Sequence, residues 1–254
     1  MPEPRIGLLI GGVQKGGTTA LARYLATHPD IALPACKEVH VFDAADFDEA
    51  WTAADVDARL APHFAGVAAG TLCGDATPLT MFHPTLVARV ARYNPAMRWV
   101  LLLRDPVERA ISHYFMERAR GAESRSLLVA LMAEPWRLRG HCDDWASDSP
   151  LRIWSYVARG RYVRQLDTLF AHFPREQVLL LRSQDLAEAT DNTVGRVLEF
   201  LGLPPMPRRP DFPRVFEGSY PPPGRLSPTR LLLHAALRGE VHALRAKYGV
   251  DLRG

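Results

Sequence analysis

The chain has 254 residues, 47% of them hydrophobic, with 31 Lys and Arg against 28 Asp and Glu and a formal net charge of +3. That size and apolar fraction suffice for one α/β domain with a sizeable core, and the near-even charge excludes the dense basic blocks of nucleic-acid tails. No stretch approaches the roughly 20 consecutive apolar residues of a membrane helix, and residues 6–13 lack the length and small-residue cleavage site of a signal peptide. The expectation is a single domain over 1–254, a cytoplasmic location, and no nucleic-acid or membrane partner. Nothing in the sequence reads on the oligomeric state.

In chain order, an apolar run at 6–10 reads as a strand that enters a glycine-rich turn, followed by a helix over 18–27 that stops before Pro29. Helical patterns follow at 56–64 and 85–93. The run Trp99-Val100-Leu101-Leu102-Leu103 reads as a strand buried on both faces, and Arg104-Asp105-Pro106 then opens a helix to about Arg118. A helix over 153–170, a buried strand at 178–181, a helix over 194–201 and a last helix to about Tyr248 complete the pattern. Strands alternating with helices predict a three-layer α/β fold around a central, mainly parallel sheet. Residues 44–71 and 121–150 break the regularity and read as insertions that border a binding site. The Pro- and Arg-rich stretch 204–228 reads as a loop folded back over the domain.

Three cysteines, Cys36, Cys73 and Cys142, have neither disulfide-framework parity nor metal-ligand spacing, so free thiols and no metal are expected. Cys36 is expected to be a buried spectator. Between the first strand and helix, Gly11-Gly12-Val13-Gln14-Lys15-Gly16-Gly17-Thr18-Thr19 lets backbone N–H groups converge on an anion at a helix N-terminus. This is a phosphate cradle of P-loop type. An ATP-type P-loop puts its lysine directly before the Ser/Thr, whereas here Gly17 precedes Thr18 and the lysine stands forward at position 15.

A forward lysine followed by Gly-Gly-Thr-Thr resembles the 5'-phosphosulfate-binding loop of sulfotransferases that use 3'-phosphoadenosine-5'-phosphosulfate (PAPS). The similarity is strongest to the branch containing the heparan sulfate glucosaminyl enzymes and their bacterial relatives. It implies that Lys15, Gly16, Gly17, Thr18 and Thr19 bind the phosphosulfate. In the segment from Leu103 to Tyr114, Arg104 and Ser112 match the pair that holds the donor's 3'-phosphate, a charged fork plus a hydroxyl. Lys37-Glu38-Val39-His40-Val41-Phe42-Asp43 is similar to the branch's Lys-Glu-x-His-Phe-Phe-Asp stretch, which implies Glu38 as catalytic base with His40 beside it. If the segment is extended, the two side chains share one face. Gly224-Arg225-Leu226-Ser227-Pro228 resembles the loop that folds over the donor phosphates, which brings in Gly224 and Arg225.

Two departures matter. Ala76, in Gly74-Asp75-Ala76-Thr77-Pro78, stands where heparan-type enzymes carry lysine, leaving Asp75 as an acceptor-side candidate. Pro223 and Ser227 replace Lys and His in the last loop. Tyr162 reads as helix packing rather than adenosine contact, and Trp51, Trp136, Trp145 and Trp154 read as loop anchors rather than sugar platforms. The implied function is transfer of a sulfuryl group from PAPS, without metal, to a hydroxyl or amine of a carbohydrate, glycosylated natural product or other small acceptor, releasing 3'-phosphoadenosine-5'-phosphate (PAP). A P-loop small-molecule kinase and a non-catalytic PAPS-binding protein are the alternatives.

Overall fold

The computed structural model describes residues 5–206, 220–221 and 223–252. In chain order the elements are β1 (Leu8–Gly12), α1 (Thr18–Leu25), β2 (Ile31–Ala32), α2 (Ala53–Leu60), β3 (Leu72–Asp75), α3 (Pro84–Tyr93), β4 (Arg98–Leu103), α4 (Pro106–Ala119), α5 (Leu127–Arg137), α6 (Pro150–Ile153), α7 (Tyr162–His172), β5 (Val178–Arg182), α8 (Ser183–Glu188), α9 (Thr190–Leu201) and α10 (Pro228–Tyr248). The chain divides into two compact units, Met1–Leu103 with Gln165–Phe216, and Arg104–Arg164 with Glu217–Gly254.

The first unit holds a five-stranded sheet in the order β2-β3-β1-β4-β5, parallel at every pairing, as the alternation of strands and helices predicts. Continuous apolar runs suit strands covered on both faces, and Trp99 to Leu103 are fully buried. Leu8 faces Gly74 on one side and Arg98 on the other. Between Leu9 and Gly12 the pairing with β4 shifts register, at the point where a Cβ on Gly11 would lie 2.5 Å from the Trp99 ring. One core cluster joins Leu21 and Leu25 of α1, Val100 and Leu102 of β4, and Val197, Leu198 and Leu201 of α9. Because the strands are parallel, the carboxyl ends of β1, β3 and β4 share one edge. β1 lies where successive connections go to opposite sides, the place where open α/β sheets bind ligands.

Two strands escape the sequence reading. β2 is two residues long, and β3 carries Gly74 and Asp75, both poor strand formers. Gly74 is there because the strands crowd: a Cβ would stand 2.9 Å from Leu8 Cβ. The helix expected from 56 starts three residues earlier, since Thr52 and Asp55 form a capping box, and it ends in a 3-10 turn at Ala61–Phe64.

In the second unit, Asp105 caps α4 by accepting the Glu108 N–H at 2.9 Å, with Pro106 at the first helical position. The 121–150 insertion, expected to be irregular, contains α5. The single helix expected over 153–170 is replaced by α6, a 3-10 turn at Ala158–Gly160 and α7. Here buried side chains claim the backbone groups a continuous helix would use. Glu134 accepts the N–H of Val157 at 2.7 Å and of Ala158 at 2.8 Å, and Arg109 donates to the Tyr156 carbonyl. Val107, Ala110, Ile111, Ala130, Leu131, Tyr156, Leu233 and Leu237 form this unit's core. Among the described residues no helix is long and apolar enough to cross a membrane.

Glu134 is 4% exposed, so Glu134→Ala strands two N–H groups in a dry interior. Urea unfolding of this variant is expected to show a loss of about 2–5 kcal/mol, and a loss under about 0.5 kcal/mol would contradict this account of the broken helix.

Candidate active site

The loop after β1 is shaped by crowding. Val13 N–H donates to the Leu102 carbonyl at 3.0 Å, and Gly16 N–H donates to the Val13 carbonyl at 2.8 Å. A Cβ on Gly16 would lie 2.5 Å from the Leu102 oxygen and 2.8 Å from that of Val13, so no side chain fits. Lys15 adopts φ 69° and Gly17 φ 98°, two left-handed residues that turn the chain into α1. Gly17 occupies the cap position without a side-chain cap, so the first-turn N–H groups of Thr18 and Thr19 face the loop with no capping side chain. Ser183, first residue of α8, donates its hydroxyl to the Gly16 carbonyl and pins the loop from outside. The sequence reading missed Ser183, whose partner lies 167 residues away in the chain.

The second cluster of the first unit is built on turns. Lys37 and His40 have φ of 68° and 59°, and Glu38 N–H bonds the Cys36 carbonyl, so the extended segment expected here is not observed. Glu38 and His40 still meet, with His40 Nε2 3.5 Å from Glu38 Oε2, because the turns bring them together rather than strand alternation. Lys37 Nζ pairs with the other oxygen of Glu38. His40 Nδ1 lies 2.8 Å from Oδ2 of Asp43, a fully buried side chain, and Nε2 faces Glu38. Glu38 is one-third exposed, open to a substrate on its free side.

Asp75 ends β3 beneath this turn. It is 1% exposed and accepts the Val39 N–H at 3.0 Å, while Ala76 N–H bonds the Lys37 carbonyl at 3.3 Å. The expectation that Asp75 faces an acceptor is therefore corrected: it holds the backbone that carries Glu38 and His40. Burial raises its pKa above the ordinary carboxylate range, opposed by hydrogen bonds from Thr77, Val39 and Ala76. Cys36 is exposed, not buried as expected, with Sγ 3.7 Å from His63 Nδ1.

The second unit carries Arg104, Ser112, Gly224 and Arg225. Arg104 follows directly on β4 and is half-buried; Ser112 is 4% exposed, two turns into α4. Tyr162, fully buried, donates its hydroxyl to the Arg104 carbonyl at 3.0 Å, so it fixes the backbone there, in keeping with a packing role, and burial pushes its phenol well above the usual range. Arg230 bonds the Pro223 carbonyl at 2.8 Å and pairs with Glu108 in the first turn of α4, which brings the Gly224-Arg225 loop to the helix start that Arg104 precedes. Arg109 is fully buried; its Nε and Nη1 have no hydrogen-bond partner among the described residues, and burial lowers its pKa. Trp51 is held by Phe47 and Arg59, and Trp154 by Ala122 and Arg137, as anchors. Trp136 departs from that expectation, being 77% exposed.

A sulfotransferase domain description matches residues 6–211. The chain belongs to the sulfotransferase family. It is 29% identical over 196 residues to the Homo sapiens heparan sulfate glucosamine 3-O-sulfotransferase 3B1, covering 77% of this chain and 45% of that one. It is 31% identical over 200 residues to the Mus musculus heparan sulfate glucosamine 3-O-sulfotransferase 6, covering 77% and 52%. The chain thus spans about half the length of these curated relatives. A crystal structure of a sulfotransferase from Alicyclobacillus acidocaldarius superposes with a TM-score of 0.77 at 29% identity, covering 98% of this chain and 97% of that one.

The position of Asp75 leads to a pH prediction. With its pKa raised by burial, the folded chain keeps a proton that the unfolded chain has released, so this group's stabilisation is present in acid and lost as pH rises through its folded value. Urea unfolding between about pH 4 and pH 7 is expected to show wild-type stability falling relative to Asp75→Asn as pH rises. The opposite slope would mean that the hydrogen bonds outweigh burial.

Proposed function

We propose that the chain transfers a sulfuryl group from PAPS to a hydroxyl, or an amine, of a carbohydrate, glycosylated natural product or other small acceptor, with Glu38 as base. The observation that carries this reading is the convergence of Lys37 and His40 on Glu38, with His40 backed by buried Asp43. Family membership and the names of the curated relatives support the reaction class.

The residues of the loop suit the anionic end of the donor. Gly16 leaves no room for a side chain, and the start of α1 lacks a side-chain cap, so backbone N–H groups and the positive end of the helix are available to an anion. Bound there, the donor supplies a sulfuryl group already activated by its linkage to a phosphate. Glu38 takes the acceptor proton as the acceptor's oxygen or nitrogen bonds to sulfur. The bond from sulfur to the bridging oxygen breaks, and the electron pair leaves on PAP. Lys15, with Thr18 and Thr19, neutralises that charge. Arg104 and Ser112 hold the 3'-phosphate, with Gly224 and Arg225 contributing from the loop before α10. Lys37 pairs with Glu38 and holds the carboxylate in place, and His40, fixed by Asp43, orients the carboxylate or the acceptor.

Single-turnover assays are expected to separate binding from chemistry. Glu38→Gln slows transfer about 100- to 10,000-fold while PAP affinity stays near wild type, and His40→Ala costs less. Lys15→Ala lowers the rate about 100- to 1000-fold without changing the melting temperature. A wild-type rate in Glu38→Gln moves the base elsewhere, and a larger thermal shift with ATP and magnesium than with PAP turns the reading to phosphotransfer.

The 3'-phosphate assignment has its own measurement. Calorimetric titration of Arg104→Ala and Ser112→Ala with PAP and with AMP is expected to show the preference for PAP shrinking at least tenfold in the arginine variant, since a charged hydrogen bond is worth about 1.5–3 kcal/mol. An unchanged ratio in both variants rejects the assignment.

A further inference from the structure

Among the described residues, the six exposed large apolar side chains all belong to the second unit: Val129, Met132 and Trp136 on α5, Leu226 in the loop before α10, and Leu231 and Leu232 near the start of that helix. Both helices feed their inner faces into one core, through Ala130 and Leu131 on α5 and Leu233 and Leu237 on α10. Their core requirement is thus met by other residues, and the six are surplus to it.

On α5 the surplus is ordered. Val129, Met132 and Trp136 follow in steps of three and four along one face of the helix, and exposed Arg125 and Arg139 stand just outside its ends, before the cap Ser126 and in the turn after Arg137. Val129 is 43% exposed, Met132 62% and Trp136 77%, and the Arg139 guanidinium lies over the Trp136 ring at 5.9 Å. The acids of these helices are turned away. Glu134, the acid of α5, is buried against Val157 and Ala158, and Glu240, the acid of α10, takes the Val163 N–H. Asp143, Asp144 and Asp148 follow only after Gly140, outside α5.

We infer that α5 docks the second unit onto anionic phospholipid bilayers, with Val129, Met132 and Trp136 entering the headgroup boundary and Arg125 and Arg139 meeting lipid phosphates. An apolar stripe with tryptophan and flanking cations is the chemistry of a helix that lies in a membrane interface. A tryptophan there keeps its ring among acyl chains and its N–H in the wet layer. A second copy of the chain fits less well. Three side chains fall far short of the roughly 800 Å² per partner of a stable dimer. The sequence expectation of no membrane partner rested on the lack of a spanning segment, which an interfacial helix does not need.

The test is flotation of the full chain with vesicles of phosphatidylcholine alone and with about one-third phosphatidylserine. Binding is expected only with phosphatidylserine and should weaken in about 0.5 M salt. Met132→Glu with Trp136→Ala should lower binding about tenfold or more, and Arg125→Glu with Arg139→Glu should lower it by about fivefold per arginine. All four positions are exposed, so unchanged melting temperatures are expected and far-ultraviolet circular dichroism checks the fold. No binding to either vesicle, or binding that both double variants retain, overturns the inference. So does a dimer in light scattering that Met132→Glu dissolves, which would make the face a contact between copies.

Discussion

The backbone carbonyl of Leu102 governs the loop on which the proposed chemistry depends. It accepts the N–H of Val13 and stands 2.5 Å from where a side chain on residue 16 would begin. The chain can pass β4 at that distance only as glycine, and it can turn into α1 only through left-handed backbone at Lys15 and Gly17. The start of α1 is consequently left without a side-chain cap. A helix start that lacks its own acceptor is matched to a ligand that brings negative charge. Ser183 then fixes the Gly16 carbonyl from α8, so the loop is braced on both sides before any ligand arrives.

The Lys37 to Asp43 turn is organised by a different device. Asp75 and Thr77, on the strand end below, are buried and receive backbone N–H groups of Val39 and His40. This is a buried carboxylate used as a backbone anchor rather than as a reacting group. With the turn held from beneath, Glu38 can be one-third exposed and still have a defined direction between Lys37 and His40. The division of labour among the three acids is set by burial: Asp75 and Asp43 are enclosed and position others, while Glu38 keeps an open side.

In the second unit, polar groups placed inside the core shape the backbone. Glu134 takes two N–H groups and Arg109 one carbonyl from residues 156–158, and this ends a helix that the periodicity would continue. The break lets Gly160 pass within 3.2 Å, measured from an added Cβ, of Pro106. Tyr162 can then reach the carbonyl of Arg104. The geometry at the start of α4 thus depends on Arg109 of α4 and on Glu134 of α5, a helix inside a stretch whose composition reads as irregular.

By itself the sequence determined what depends on neighbours along the chain. The glycine-rich turn after β1, the buried run of β4 and the Asp-Pro start of α4 are all local signals, because a cap, a forced φ or a double-sided strand needs only a few adjacent residues. The order of motifs likewise carried the resemblance to sulfotransferases that the match over residues 6–211 bears out. Tertiary structure decided whatever rests on a distant partner. β3 is a strand because Leu8 and Leu9 pair with Gly74 and Asp75; the 153–170 stretch breaks because Glu134 outcompetes its helical bonds; Asp75 turns inward because Val39 needs an acceptor. Glu38 and His40 meet through two left-handed residues that no alternation rule predicts. Hydrogen-bond acceptors that compete for the same N–H group are compared only when the chain has folded, and local pattern contains one of the competitors at most.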